Sequence, residues 1–214
     1  MRIETVTSAQ NPKIKDLLAL QEKSRTRREE GLFVVEGRRE LEHCLKAGFK
    51  AKTLFVCGEI LGEAFQEVVD MAPEAGIVQV PAYVYGKIAY REGTEGVIAE
   101  IEYKDRKLED LALGKDPLVI VLESVEKPGN LGAVLRSADA AGADAVIICD
   151  PLTDLYNPNL IRSSLGGTVS SMKRVSSGNS PSWSRISSKK RGSGFSRCSA
   201  KEKYDLLNSL SNSL

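Results

Sequence analysis

In the first hundred residues, segments with a helical spacing of apolar side chains alternate with short apolar runs. The helical spacing predicts a helix that begins at Asn11-Pro12, with the asparagine as N-cap, and two further helices over residues 38–47 and 59–71. The apolar runs predict strands at residues 32–35, 53–56, 77–80 and 96–103. Elements of this length in this order are typical of a small α/β domain, which we place at residues 1–103.

A second domain is predicted after a linker. Residues 104–116 are crowded with charged side chains, and from Pro117 onward the pattern changes. An uninterrupted apolar run at 118–122 is typical of a parallel strand that is covered on both faces. It is followed by a predicted helix at 131–141, a strand at 145–149, and a helix that begins at Asn157-Pro158. This β-α-β-α order predicts a doubly wound parallel sheet over residues 117–169.

The composition changes again after Val169. Serine supplies 15 of the last 45 residues, and only weak helices or strands can be drawn there. The residues up to Val169 contain 21 Lys and Arg against 27 Asp and Glu, whereas the remainder contains 9 against 2. Residues 170–214 are therefore predicted to be a serine-rich basic tail, either a solvated segment or one that contacts a polyanion.

The spacing of the cysteines, the number of histidines and the length of the apolar runs limit the possible functions. The four cysteines have no paired spacing, which favours free thiols in a reducing compartment and hence the cytoplasm. With His43 as the single histidine, no metal site is expected. The longest apolar runs are too short to cross a bilayer, so no membrane partner is expected.

The segment most informative about chemistry is Lys127-Pro128-Gly129-Asn130-Leu131-Gly132-Ala133-Val134-Leu135-Arg136, between a strand and a helix. Open α/β sheets bind ligands at such turns, and glycines allow a bound group to approach the backbone. Asn130 could cap the helix, and Arg136 could lean back toward its start. Two other interpretations stay open. One is a structural turn with a surface arginine; the other is a nucleotide-binding turn, disfavoured because the G-x-G-x-x-G spacing is absent.

Three parts of the chain together resemble one family. The sequence "LVIVLESVEKPGNLGAVLRSADAAGADAVIICD" and the later "YNPNLIRSSLGGTV" resemble the SpoU (TrmH-like) branch of the SPOUT methyltransferases. The segments "TSAQNPKIKDLLAL", "RREEGLFVVEG" and "TEGVIAEI" are similar to the ribosomal-protein-like substrate-binding domain that precedes the catalytic domain in many members. The similarity covers roughly residues 5–170.

The resemblance implies a fold, a reaction and a site. The implied fold is a small α/β N-terminal domain followed by a trefoil-knot, parallel-sheet domain. The implied reaction is transfer of a methyl group from S-adenosyl-L-methionine to a ribose 2′-hydroxyl of structured RNA, with rRNA as the expected substrate. The implied assembly is a homodimer if the C-terminus is intact. Asn130 and Arg136 match the catalytic-motif residues of the family. No cofactor-binding residues could be assigned.

The family's later motifs, a Gly-x-Glu turn, an Ile-Pro turn and a Ser-Leu-Asn helix start, are not found after Val169. This departure predicts a frame shift or truncation near residues 168–173, or else a genuine basic tail. It leaves open a catalytically inactive, RNA-binding remnant of the family. A base or tRNA methyltransferase of the same superfamily is a third alternative.

Basic residues of the N-terminal domain are the candidates for contact with RNA phosphates. The alternative is a solvated charged face, because Glu22, Glu29 and Glu30 lie among them. The candidates are Lys13, Lys15, Lys23, Arg25, Arg27, Arg28, Arg38 and Arg39.

Overall fold

The structure is a computed structural model that describes residues 3–90, 93, 95–104, 116–149, 152–164 and 175–177. The predicted frame shift near residues 168–173 and nearly all of the predicted tail lie outside the described residues, as do residues 105–115 of the predicted linker. No helix in the described part of the chain is both long enough and apolar enough to span a membrane.

The N-terminal part of the chain forms a mixed five-stranded sheet. Its spatial order is β1-β4-β3-β5-β2, in which β1, β4 and β3 are parallel neighbours and β5 pairs antiparallel with both β3 and β2. Four of the strands were predicted; β1, at the edge, was not. The strands are β1 (Ile3–Thr5), β2 (Leu32–Glu36), β3 (Ala51–Val56), β4 (Gly76–Gln79) and β5 (Val97–Glu102).

Helices cover both faces of this sheet. Phe33, on β2, packs into the core on one face of the sheet. Phe55, on β3, points in the opposite direction and packs into the core on the other face. The helices are α1 (Pro12–Glu22), α2 (Ser24–Glu30), α3 (Arg38–Lys46), α4 (Gly58–Leu61), α5 (Phe65–Asp70) and α6 (Ala82–Ile88), with a 3₁₀ turn at Gly62–Ala64.

The helix predicted over residues 59–71 is divided into two. Gly62 adopts φ 55°, a left-handed conformation that ends α4 before α5 begins. The first predicted helix is confirmed with its cap, since Asn11 Oδ1 accepts a hydrogen bond from the Lys13 backbone N–H at 2.9 Å. The basic segment after it was left without a predicted element, but it forms helix α2.

The second part of the chain forms a parallel sheet in the order β6-β7-β8. The predicted β-α-β-α order is confirmed, and a third strand lies in a segment where only weak elements were expected. In the described part of the chain, β6 pairs only with β7 and its residue Val121 is 36% exposed, so the prediction that both faces of β6 are covered is contradicted there. The elements are β6 (Val119–Glu123), α7 (Pro128–Ala140), β7 (Ala145–Cys149), α8 (Pro158–Ser163) and β8 (Val175–Ser177).

Helix α8 belongs to the cores of both parts. Leu160 packs with Leu131 and Leu135 of α7, whereas Ile161, the next residue, packs against the N-terminal sheet beside Val35. Consecutive helical residues point about 100° apart, so one short helix can supply a side chain to each core. The two α/β units therefore share a packed interface at α8.

Candidate active site

The turn from β6 to α7 lies at the carboxyl end of a parallel strand, where open α/β sheets bind ligands. Ser124, directly after the strand, has φ 52°, which is uncommon for a residue with a side chain and costs conformational energy. Helix α7 begins at Pro128 with Lys127 as its N-cap residue. The prediction that Asn130 could cap this helix is therefore wrong: Asn130 is the third helical residue.

Asn130 and Arg136 are both exposed on α7. Six residues of α-helix separate them by roughly 9 Å along the axis and about 120° around it. Among the described residues, no hydrogen bond or ion pair joins the two side chains to each other or to a third group. Both side chains are therefore accessible to a ligand that covers the first two turns of α7.

The two glycines of the turn have different surroundings. Among the described residues, and apart from chain neighbours and the backbone of α7 itself, no atom lies within 4 Å of the position that a Cβ of Gly129 would occupy, so this part of the start of α7 is open. A Cβ on Gly132 would collide with the side chain of Ser163, in α8. Gly132 therefore permits close packing of α7 on α8. The expectation that it admits a bound group is wrong, whereas Gly129 retains that possibility.

The structure contradicts one of the predicted RNA-binding residues. Arg27 is 1% exposed, and both its Nε and its Nη2 lie 2.7 Å from Asp154 Oδ2. Its Nη1 donates to the carbonyl oxygens of Leu20 and Gln21, at 2.6 and 3.0 Å. A guanidinium that is buried and bonded in this way cannot contact an RNA phosphate in this conformation.

The other predicted RNA-binding residues are accessible to different degrees. Lys23 and Arg28 are exposed. Lys13, Arg25 and Arg38 are each paired with a carboxylate, and exposed pairs of this kind exchange readily with other partners. Their partners are Glu4 at 2.7 Å, Glu29 at 2.7 Å and Glu67 at 2.5 Å, respectively.

Arg38 borders a groove of about 780 Å³ on the N-terminal domain, away from α7. The groove has basic side chains from Arg38, Arg39 and Lys46, but also three carboxylates. The balanced charge does not favour a polyanion, so the exposed residues around α2 are the better candidates for phosphate contact. The carboxylates belong to Glu42, Glu67 and Glu95.

Sequence reasoning missed an aromatic cluster between the two units. Tyr156, before α8, stacks on Tyr103 with ring centroids 3.9 Å apart and lies 4.6 Å from the ring of Phe33. Its hydroxyl donates to the Lys104 carbonyl at 3.0 Å. Burial, and then the negative charge of Asp154, raise the pKa of Tyr103. The only sequence signal was the aromatic character of these residues, which by itself does not show that they meet.

The geometry defines an α/β protein with two units, whose parallel sheet ends in an open turn that is suited to a ligand. Comparisons with known proteins identify it further. The model of the SpoU rRNA methylase family matches residues 117–206, and the model of the MRM3-like substrate-binding domain matches residues 11–99. The chain belongs to the SpoU family, and the predicted fold, a substrate-binding domain followed by a SpoU domain, is confirmed.

Relatives and solved structures agree with this membership. A crystal structure of an RNA 2′-O ribose methyltransferase is 36% identical, with a TM-score of 0.69 over 85% of this chain and 69% of that chain. An AdoMet-bound rRNA methyltransferase from Sinorhizobium meliloti is 27% identical, with a TM-score of 0.74 over 86% and 69%. A 23S rRNA (guanosine(2553)-2′-O)-methyltransferase from Bacillus subtilis is 29% identical over 77% of this chain and 62% of its own length. The chain spans about three fifths of the length of the curated relatives that it matches first.

Proposed function

We propose that this protein transfers a methyl group from S-adenosyl-L-methionine to a ribose 2′-hydroxyl of ribosomal RNA. The observation that carries the proposal is the open turn after β6, where Asn130 and Arg136 are exposed at the positions that match the family's catalytic motif. Relatives whose similarity covers 76–77% of this chain, and so spans parts of both domains, are named as 23S rRNA 2′-O-methyltransferases.

In this proposal Arg136 acts without losing its proton, since a guanidinium stays protonated in proteins. It orients the ribose or its phosphate and stabilises the negative charge that develops on the 2′-oxygen as the hydroxyl proton passes to solvent water. Asn130, nearer the start of α7, hydrogen-bonds the ribose and limits its orientation. Most of the acceleration then comes from alignment of the hydroxyl oxygen with the methyl group.

The open space at Gly129 fits a bound group at the start of α7, because no side chain of the part of the chain that the structure describes fills it. The cofactor supplies a methyl group that its sulfonium already activates. Ser124 and Gly129 are the described residues that we propose lie against it, one on each side of the turn.

The test is methyl transfer from tritiated S-adenosyl-L-methionine to rRNA by the full chain and its variants. Replacing Arg136 with Ala is expected to lower kcat/KM by about 10²-fold or more, as removal of a single charge-stabilising donor does in other enzymes. Asp139→Ala is the matched control, because Asp139 is exposed on the same helix one turn further on. Equal transfer by the Arg136→Ala and Asp139→Ala proteins would refute the role of Arg136.

A catalytically inactive RNA-binding protein is the second candidate. It is favoured by the family's late motifs, which are not found after Val169, and disfavoured by the family match that continues to residue 206. It predicts binding to rRNA that weakens with salt, with a log–log slope of roughly −0.7 for each neutralised phosphate of a single strand. Such binding without tritium incorporation would establish it in place of the enzyme.

Three further expectations belong to this proposal. The substrate-binding domain comprises residues 1–103 and the linker residues 104–116. The methyltransferase domain begins at residue 117, and a basic tail follows residue 169. The chain works in the cytoplasm, supported by the buried free thiols of Cys44 and Cys57. It forms a homodimer if the C-terminus is intact, which light scattering of the purified chain would test.

A further inference from the structure

Helix α2 carries basic residues that differ sharply in exposure. Arg25 and Arg28 are exposed, whereas Arg27, between them, is among the largest fully buried side chains of the described residues. The segment proposed to contact RNA phosphates therefore directs one of its arginines into the protein. Its partner there, Asp154, is 127 residues further along the chain, in the methyltransferase domain.

The bonds of Arg27 join three pieces of structure. The side chain extends from α2, its Nη1 donates to two carbonyl oxygens at the end of α1, and its Nε and Nη2 meet Asp154 Oδ2. Because a guanidinium is planar and its donors have fixed directions, these bonds specify orientation as well as distance. A lysine ammonium could not make all of them at once.

Asp154 continues the connection toward the candidate active site. Its Oδ1 accepts from the Tyr156 backbone N–H at 3.0 Å, and its carbonyl accepts from the Asn157 N–H at 3.0 Å. This turn leads directly into α8. At the other end of α8, Ser163 Oγ lies 3.4 Å from the Pro128 carbonyl, at the start of α7 beside Asn130.

A buried ion pair is weak evidence for stability, since removing both charges from water offsets most of their attraction. The best-supported role of such pairs is to select one geometry among several. We propose that Arg27 is a positioning residue: it sets the placement of α2, with the RNA held beside it, relative to Asn130 and Arg136 on α7. This inference rests on the proposed function, which supplies the RNA and the reaction.

Kinetics of the full chain separate positioning from binding. Arg27→Met is expected to lower kcat on the order of 10- to 100-fold, as misplacement of a reactant by about an ångström does, while KM for rRNA changes little. Arg28→Met is the matched comparison, one residue along and exposed. It is expected to raise KM for rRNA, because a phosphate contact is lost, with kcat less affected.

A second pair of variants separates positioning from stability. Asp154→Asn keeps the size of the side chain and an oxygen for the Tyr156 N–H. The double variant Arg27→Met/Asp154→Asn leaves no charge unpaired, so it should recover part of the thermal stability that Arg27→Met loses. Its kcat should stay low, because the ion pair between Arg27 on α2 and Asp154 in the turn before α8 is then absent. A kcat that recovers together with the melting temperature would overturn the proposal.

A distance measurement tests the same inference without an assay of methyl transfer. Spin labels are attached through unnatural amino acids at Lys15 and Asp139, which are exposed on α1 and α7. The distance distribution should broaden in Arg27→Met and in the double variant, but not in Arg28→Met. An unchanged distribution in all three would overturn the positioning role. Absence of methyl transfer by the unsubstituted chain would count against the proposed function alone, since this measurement would still decide the role of Arg27.

Discussion

Gly129 and Gly132 lie three residues apart on α7 and predict opposite responses to the same substitution. Gly132→Ala should destabilise the fold by about 1–3 kcal/mol, because its Cβ would overlap Ser163 and part of the Ser163 backbone, which cannot simply rotate away. Gly129→Ala should be neutral or stabilising by up to ~1 kcal/mol, since alanine favours a helix and the space is open. Urea unfolding measures both, and equal effects would contradict the close packing of α7 on α8.

Glu100 predicts a dependence of stability on pH. It is 7% exposed on β5, and burial raises its pKa, opposed by a hydrogen bond from Thr53. A carboxyl with a raised pKa in the folded state contributes stability below its unfolded pKa, and this contribution is lost as pH rises through the folded pKa. Glu100→Gln should therefore gain stability relative to the unsubstituted protein as pH increases from about 4 toward neutrality.

Urea unfolding at several pH values provides the measurement for Glu100. Glu102→Gln is the control, because Glu102 lies on the same strand with its side chain exposed. The contrary outcome is that the free energies of unfolding of the Glu100→Gln protein and the unsubstituted protein differ by the same amount at every pH. That result would show that Glu100 does not titrate as its burial requires.

At the scale of residues, the sequence predicts Asn130 and Arg136 as catalytic candidates through a local motif, and the structure leaves both exposed. It could not distinguish Arg27 from Arg25 and Arg28, because charge spacing does not reveal a partner that is distant in sequence. Gly132 was misinterpreted for a related reason. Whether a glycine admits a ligand or a neighbouring helix depends on α8, whose contact with α7 is tertiary.

At the scale of elements, the cap of α8 predicts a modest but specific effect. Asn157 Oδ1 accepts from the Asn159 backbone N–H at 2.8 Å. Asn157→Ala should cost about 1 kcal/mol, whereas Asn157→Asp should retain most of the stability because aspartate is an equally good cap. Thermal unfolding of the two variants tests this, and an equal loss in both would indicate that the cap does not stabilise α8.

The same cap explains which elements were predictable. Both Asn11-Pro12 and Asn157-Pro158 begin helices, as predicted, since a cap and a first-turn proline are local signals. The strand β1, by contrast, has only three residues, all exposed, and exists through its pairing with β4. Helix α2 has a charged sequence with no apolar stripe, so its helical state depends on Arg27 and on packing beside β2.

At the scale of the whole molecule, the sequence predicted two domains in the correct order but not their contact. Each domain has its own pattern of strands and helices, and these patterns are local. The contact at α8 joins residues from distant parts of the chain. The periodic pattern of apolar residues predicts helices and strands but does not predict such a tertiary contact. The family resemblance indicated the domain order without indicating how tightly the two domains are held.

That contact predicts how the protein unfolds. Ile161 and Tyr156 pack with the core of the N-terminal domain, whereas residues next to them in sequence pack with the core around α7. Unfolding of either domain would therefore expose apolar surface of the other. Calorimetry of the chain should therefore show one transition, with calorimetric and van't Hoff enthalpies that agree. Tyr156→Ala removes the stack on Tyr103 and Phe33, and should cost about 2–4 kcal/mol and separate the transition into two.

The control for Tyr156→Ala is Tyr156→Phe, which keeps the stacked ring and loses the hydrogen bond from the Tyr156 hydroxyl to the Lys104 carbonyl. It should cost about 1 kcal/mol, the net contribution of one hydrogen bond, and leave a single transition. Two transitions in the unsubstituted chain would mean that the domains unfold independently despite their contact. In that case the Arg27–Asp154 pair would hold orientation without coupling the stabilities of the two domains, because a bond that fixes geometry need not transmit unfolding free energy.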